Sequence, residues 1–249
     1  MRKLTYISVG FLLLFPLLAL AYLSIVSNWM FPQLIHSNFT FRYWIETFSS
    51  SNTLLNSFVT SLLVAFCIAL VATTFGFVVS LYIMFHSQQK KMLSLAFYPY
   101  LISPVIFGAM LNYYFIRINL TGTLSGILFA QWLYIFPYSI LLFSTFWNDR
   151  IKQLTFQAFT LGASKYQSFI KILIPLAKPW LLLCFIQCFL ISWFEYGITK
   201  VIGLGKINTL PIETMKFINE ANPHLAAVSA GLMIFPLLLI FVAFMRREW

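Results

Sequence analysis

Few residues in this sequence have the types and spacing that chemistry requires. The three histidines lie in different predicted loops, so they form no cluster of metal ligands. Cys184 and Cys188 would share a helix face, but no histidine is near them in sequence, which favours small buried core residues over a metal site. Residues 203–206 contain a Gly-Lys pair but lack the following Ser or Thr and the earlier glycine of a nucleotide-binding loop. The sequence therefore predicts that this chain is not an enzyme and that it binds no cofactor itself.

Glu195 is the acidic residue that falls within a predicted membrane span, near the outer end of the fifth span. A charged side chain at the centre of a spanning helix costs about 2.5–3.5 kcal/mol on insertion scales, and less near an interface. Two interpretations are open. Glu195 lines a translocation path together with Tyr196 and Gly197, or it is an interfacial residue that reaches headgroup water. A carboxylate suits a cationic solute, but it does not identify the solute by itself.

The composition places the chain in a membrane. Charged residues make up 9% of its 249 residues, against about 25% in an ordinary soluble protein, and the mean hydropathy is +0.87. A formal net charge of +10 is compatible with nucleic-acid binding, but in a membrane protein basic residues mainly set the orientation of the spans. We therefore expect a multi-pass membrane protein in contact with lipid, with no nucleic-acid partner.

The apolar stretches predict an all-α membrane protein with six transmembrane helices, which form one domain over residues 1–249. A cleaved signal peptide ending near Ala21 is disfavoured, because the apolar run continues to Val26 and no soluble domain follows. Prolines inside the spans are expected to kink helices that pack against neighbours. The predicted spans are residues 4–27, 54–85, 92–116, 124–147, 179–198 and 225–245.

The distribution of basic residues predicts which side of the membrane each loop faces. With both termini in the cytoplasm, eleven of the sixteen Lys and Arg residues lie on the inner side and five on the outer side. Cytoplasmic loops of membrane proteins carry an excess of basic residues, so this orientation is favoured. The two ends contribute Arg2, Lys3, Arg246 and Arg247 to the inner side. The outer residues are Arg42, Arg117, Lys200, Lys206 and Lys216.

The inner loop at residues 148–178, between the fourth and fifth spans, is long enough to have a structure of its own. It is predicted to form two short helices hinged at Gly162, where a left-handed residue ends the first helix. Asn148 or Asp149 is expected to cap that first helix at its N-terminus. The loop is therefore a helix–glycine–helix segment beneath the membrane.

The second helix of this loop is predicted to begin with a capping box formed by Ser164 and Gln167. Pro175 is expected to end this helix and Pro179 to open the fifth span. Such an amphipathic and basic segment either rests on anionic lipid or docks a cytoplasmic protein, and the pattern alone leaves both open. Its predicted apolar face contains Tyr166, Phe169, Ile170 and Leu173, with Lys165, Ser168 and Lys171 outside it.

Residues 156–175 resemble the EAA loop of permease subunits in binding-protein-dependent ABC importers. The family motif reads E-A-A, three residues, G, nine residues and then I-x-L-P. In this chain Ala158 takes the last alanine position and Gly162 the glycine position, and residues 172–175 read I-L-I-P. Residues 156–157 read F-Q where the family has E-A, so the acidic contact of the family is not expected here.

Two further features extend the resemblance over most of the chain. Six spans with a long loop between the fourth and the fifth match the smaller permeases of this type. Residues 193–197, W-F-E-Y-G, and residues 209–212, T-L-P-I, are similar to permeases of the polyamine, ferric iron, thiamine and oxyanion group. These matches indicate the group and leave the solute open.

The resemblance implies the permease fold of type I importers, in the bacterial inner membrane. The chain would form half of a solute pathway with a second permease subunit, and the missing acidic residue favours a different chain over a second copy. An ATP-binding cassette ATPase dimer, which uses ATP and Mg, would dock on the cytoplasmic side, and a solute-binding protein on the outer side. The ATPase contact implied by the resemblance consists of Ala158, Leu161, Gly162, Ala163, Ser164, Tyr166, Phe169, Ile172 and Pro175.

Two other classes of protein make different predictions. A secondary transporter or a channel that works without ATP would carry ion-coupling residues in several spans, whereas this sequence offers Glu195 as its one candidate. An intramembrane enzyme would cluster His, Asp or Ser residues at membrane depth, and the predicted spans contain no such cluster. The transporter or channel without ATP is the main alternative to the importer permease.

Overall fold

The computed structural model describes residues 2–27, 38–49, 52–86 and 89–245. Within these ranges the chain is helical, and the one pairing of extended residues is an isolated bridge between Val26 and Phe39. The long apolar runs account for this, because a backbone in hydrocarbon must satisfy its hydrogen bonds within its own segment. The prediction of an all-α protein is confirmed for the described residues.

The helices differ widely in length, from one turn to more than eight turns. A 3-10 turn at Tyr98–Leu101 extends α4, and a π-helical turn at Phe169–Leu173 joins α8 to α9. The helices are α1 (Arg2–Ile25), α2 (Arg42–Ser49), α3 (Asn52–Met84), α4 (Gln89–Phe97), α5 (Pro104–Arg117), α6 (Leu124–Phe146), α7 (Asp149–Thr160), α8 (Lys165–Ser168), α9 (Ile174–Trp193), α10 (Gly197–Gly203), α11 (Leu210–Asn219) and α12 (Pro223–Met245).

Among the described residues, four helical stretches are long and apolar enough to cross a membrane, and α4 with α5 makes a fifth if the pair counts as one span. They correspond to the second, fourth, fifth and sixth predicted spans, and the pair corresponds to the third. The chain is therefore built as a multi-pass helical membrane protein. The four stretches are Thr53–Met84, Leu124–Phe146, Lys165–Trp193 and Pro223–Ile240.

The first predicted span corresponds to α1. Its Gly10–Ile25 part is an apolar helix that is shorter than the four stretches. Arg246, Arg247 and His36 lie outside the described residues. A total of six spans and a cytoplasmic position of both termini stay predictions.

The third predicted span, residues 92–116, is not one helix. The helix that ends with the 3-10 turn and the following α5 meet at an angle of 97° around residues 102–103. Pro104 opens α5, and the residue before a proline is driven into extended backbone, here Ser103 with φ −58° and ψ 142°. Proline therefore breaks this span into two helices instead of kinking a continuous one.

The fifth predicted span, residues 179–198, is wrong at both ends. The helical run is continuous from Lys165 to Trp193, so Pro175 does not end the loop helix and Pro179 lies inside α9. At the other end, the helix stops at Trp193, five residues before the predicted end at residue 198. The π-helical turn comes just before Pro175 and widens the helix there, which accommodates a residue that has no N–H to donate.

The chain divides into two compact units, and the first consists of Met1–Ser61 with Asn208–Trp249. In this unit α12 packs against α1, α2 and α11. The imidazole of His224 at the start of α12 stacks on the Tyr43 ring of α2, with 4.6 Å between the ring centroids. A single domain over the whole chain stays a prediction.

The second unit, Leu62–Ile207, is organised around α6, which packs against α4, α5, α9 and α10. Phe143 of α6 and Trp193 of α9 are among its largest fully buried side chains. Phe77 of α3 lies between two other rings, with centroid distances of 5.2 Å to Phe143 and 5.9 Å to Phe169. The loop between α6 and α9 is thereby attached to the core through Phe169.

Candidate functional site

The first loop helix, α7, begins as the sequence predicts. The Asn148 side chain accepts a hydrogen bond from the backbone N–H of Ile151 at 3.0 Å, so Asn148 and not Asp149 is the cap. Asp149 lies in the first turn, where a negative charge is favourable to the helix dipole. Ile151 and Thr155 are buried, which sets one face of α7 against the rest of the unit.

The turn at Gly162 ends α7 as predicted. Gly162 has a φ of +83°, in the left-handed region that glycine adopts without steric cost. Its N–H donates to the Phe159 carbonyl and the N–H of Ala163 donates to the Ala158 carbonyl, both at 3.0 Å. These two bonds satisfy the last carbonyls of α7 in the arrangement typical of a glycine C-terminal cap.

The second loop helix, α8, begins with the predicted capping box. The Ser164 hydroxyl accepts a hydrogen bond from the Gln167 N–H at 3.2 Å, and the Gln167 side-chain oxygen accepts one from the Ser164 N–H at 3.0 Å. With the glycine cap just before it, this box leaves few conformations open to the connection between the helices. The helix–glycine–helix segment is confirmed.

The four residues of the predicted apolar face do not share one environment. Leu173 is buried, whereas Tyr166 and Ile170 are exposed, and Ser168, which was placed outside that face, is 1% exposed. The π-helical turn explains the difference, because its wider spacing places Ser168 and Leu173, five residues apart, on the same side. Phe169 is half-buried against Phe77.

Apolar side chains are exposed where α7 turns into α8. Leu161 is 88% exposed and Tyr166 is 73% exposed. A Cβ atom added to Gly162 would meet no atom within 4 Å. We call Leu161, Gly162 and Tyr166 the loop tip. The tip is held in place by two caps, and the side chains of Leu161 and Tyr166 are mostly exposed in the described part of this chain.

Only some residues of the predicted ATPase contact lie on the protein surface. Its exposed members lie mostly around the loop tip, so the tip and not the whole predicted set is accessible to another protein. The exposed residues are Leu161, Gly162, Ser164, Tyr166 and Pro175, the half-buried ones are Ala163, Phe169 and Ile172, and Ala158 is buried.

Glu195 lies in the link between α9 and α10 and not within a spanning helix. It is 7% exposed, so its carboxylate faces the interior of the second unit and does not reach headgroup water. One oxygen accepts the Ile198 N–H, and the other accepts the Thr199 N–H at 3.0 Å and the Thr199 hydroxyl at 2.6 Å. Glu195 therefore caps the start of α10.

A second helix contributes to the same cluster. Gln131 of α6 donates its side-chain N–H to Glu195 at 3.2 Å and to the Thr199 hydroxyl oxygen at 2.8 Å. The Ser192 hydroxyl of α9 donates to the Gln131 side-chain oxygen at 2.5 Å. All four side chains are buried, and they join α6, α9 and α10 through one hydrogen-bonded cluster.

The other two residues of the predicted translocation path have different surroundings. Tyr196 is half-buried, and the Lys200 ammonium group lies 5.1 Å from the centre of its ring. A Cβ atom on Gly197 would come within 2.6 Å of the Val105 side chain and 3.1 Å of the Val105 nitrogen, so glycine allows the close approach of α10 to α5. A role of these residues in solute passage stays a prediction.

Several buried polar residues had not been predicted. Gln131 was the detectable one, because it is a polar residue in the middle of an apolar span. Ser192 and Thr199 are common in membrane helices and carry no such signal. Glu213 in α11 is a second buried acidic residue, because it is 2% exposed. Its carboxylate lies 3.8 Å from the Lys216 ammonium group.

The two cysteines of α9 share a face, as predicted. The sulfur atoms of Cys184 and Cys188 are 3.9 Å apart, and both residues are fully buried. Among the residues that the structure describes, no group of three His, Cys, Asp or Glu side chains is placed to hold a metal ion.

The long apolar helices place this chain in the class of multi-pass helical membrane proteins. No known protein-family model matches this chain, and no curated protein matches it either.

Proposed function

We propose that this chain is the permease subunit of an ATP-driven importer in the bacterial inner membrane. It would form half of a solute pathway with a second permease subunit, and a solute-binding protein would deliver solute from outside. A separate ATP-binding cassette ATPase dimer would supply the energy. The sequence support is the resemblance of residues 156–175 to the EAA loop and the six predicted spans.

The observation that carries the proposal is the loop tip. Leu161 and Tyr166 are exposed apolar side chains on a turn whose backbone is fixed by caps on both sides. Apolar side chains held in a defined geometry suit a protein contact, because their burial by a partner would release water without a large cost in ordering. The partner in this proposal is the ATPase.

The continuous helical run from Lys165 to Trp193 gives the proposal a mechanical route. Closure of the ATPase dimer on ATP would move the loop tip, and a helix without a break transmits such a displacement along its axis. The run ends two residues before Glu195, whose cluster joins α9 to α6 and α10. Movement of the loop would thus reach the helices of the proposed pathway.

Replacing Gly162 tests the proposal, because a β-branched residue at positive φ pays about 1–2 kcal/mol of backbone strain. We expect Gly162→Val to lower the amount of ABC ATPase that co-purifies with the full chain from native membranes by about tenfold. The amount of permease inserted in the membrane should stay the same. The readout is quantitative mass spectrometry of the purified complex.

Gly205→Val is the matched control. Gly205 also has a positive φ, +71°, and open space around its Cβ position, but it lies in the turn after α10. Equal loss of ATPase from both variants would contradict the proposal, as would the absence of any ATPase from the wild-type preparation.

A further inference from the structure

A cleft of about 530 Å³ lies in the second unit, where the last turns of α3 meet α7 and α8. This volume is within the range of about 300–1,000 Å³ that small-molecule sites occupy in proteins. The cleft has not been used by the proposed function, because no residue of the loop tip lines it.

Most of the cleft wall is apolar and aromatic. Four phenylalanines line it, and the rings of Phe85 and Phe156 meet edge to face with 6.1 Å between their centroids. The other two are Phe159 of α7 and Phe169 of the π-helical turn. A wall of this kind suits a hydrocarbon chain, which packs against aromatic rings and needs no polar partner.

Polar side chains line the cleft on every side, and the α8 side contributes Lys165 and Ser168. The others are Tyr82 and His86 at the end of α3 and Thr155 of α7. Lys165 of α8 lines the cleft, and in the described part of the chain its ammonium group forms no ion pair. Ser168 also lies in the wall, and its buried hydroxyl has no hydrogen-bond partner there. A buried hydroxyl without a partner costs about 1–3 kcal/mol. No acidic residue lines the cleft.

The position of the cleft narrows the choice of ligand. It lies where one candidate span, Thr53–Met84, ends and another, Lys165–Trp193, begins. The ends of spanning helices lie at the level of lipid headgroups. Arg150, Lys152 and Lys171 on the same loop add positive charge, which attracts anionic lipid at a membrane surface.

We propose that this cleft binds an anionic phospholipid, with an acyl chain between the phenylalanines and the phosphate group beside Lys165. The lipid would fill the space between α3 and the docking loop and so support the loop from the membrane side. The site goes beyond the importer function. Phe169 of the predicted ATPase contact lines it, but none of the loop-tip residues Leu161, Gly162 and Tyr166 does.

The headgroup is tested with the purified full chain in mild detergent, titrated with phosphatidylglycerol or phosphatidylcholine and followed by native mass spectrometry. We expect tighter binding of phosphatidylglycerol. Lys165→Gln should raise its apparent Kd about fivefold, the change that corresponds to about 1 kcal/mol for one Lys at a lipid surface. Lys171→Gln is the control and should leave the Kd unchanged, because Lys171 is exposed on the same helical run and does not line the cleft.

The acyl chain is tested with Phe159→Ala, which should weaken the binding of both lipids alike. The control is Leu161→Ala outside the cleft, which should weaken the binding of neither.

Equal affinity of the wild type for the two lipids would overturn the proposal, as would an equal effect of Lys165→Gln and Lys171→Gln. Displacement of the lipid by inorganic phosphate would assign the site to free phosphate. If Lys165→Gln removed the ATPase and left lipid binding unchanged, the cleft would be a protein contact. The lipid titration contains no ATPase, so its failure leaves the proposed function untouched.

Discussion

The Glu195 carboxylate accepts hydrogen bonds from two backbone N–H groups of α10, from the Thr199 hydroxyl and from the Gln131 amide. A buried carboxylate is tolerated only when such donors replace the water that it loses. These donors come from two helices, and Ser192 adds a third helix through Gln131. At the residue scale, Glu195 therefore anchors the break between α9 and α10, and a solute that bound to it would have to displace these donors.

Glu195→Gln is expected to lower the free energy of unfolding of the purified protein by about 1–3 kcal/mol. The new amide N–H₂ would face donors that need an acceptor, although the shape of the side chain is kept. Thermal unfolding in detergent measures the effect. Glu220→Gln, at an exposed residue after α11, is the control and should change stability by no more than about 0.5 kcal/mol. If the two variants were equally stable, Glu195 would not be an anchor.

At the scale of the helices, the sequence predicts those features that depend on a few neighbouring residues. The Asn148 cap, the glycine cap at Gly162 and the Ser164 capping box each need only side chains within four positions, and all three are present. The buried face of α8 was not predictable in this way. It depends on the π-helical turn before Pro175 and on the packing of Phe169 against Phe77, which is distant in sequence.

Removing the capping box is expected to loosen the start of α8. Ser164→Ala deletes the acceptor of the Gln167 N–H, which costs about 1 kcal/mol in a typical cap. Hydrogen exchange followed by mass spectrometry should show about fivefold faster exchange in peptides that cover the first turn of α8. Thr160→Ala is the control, because the Thr160 hydroxyl donates to the Gln157 carbonyl within α7 and caps nothing. Unchanged exchange in Ser164→Ala would mean that the box does not hold the loop.

At the scale of the whole molecule, hydropathy predicted where the long helices lie but not how their polar residues meet. Gln131 and Glu195 are 64 positions apart, and only the packing of α6 against α9 and α10 brings them together. The helical run of 29 residues from Lys165 to Trp193 is about 44 Å long, enough to cross a membrane. It connects the loop tip to the Glu195 cluster, as the proposed coupling to an ATPase requires.

A photo-crosslinking measurement tests the ATPase contact most directly. Benzoylphenylalanine would replace Leu161 at the loop tip in one variant, and in another it would replace Leu204, which is exposed in the turn after α10. Irradiation of native membranes is expected to link position 161, and not position 204, to an ATP-binding cassette ATPase identified by mass spectrometry. A lack of any ATPase adduct at position 161, or equal adducts at both positions, would contradict this prediction.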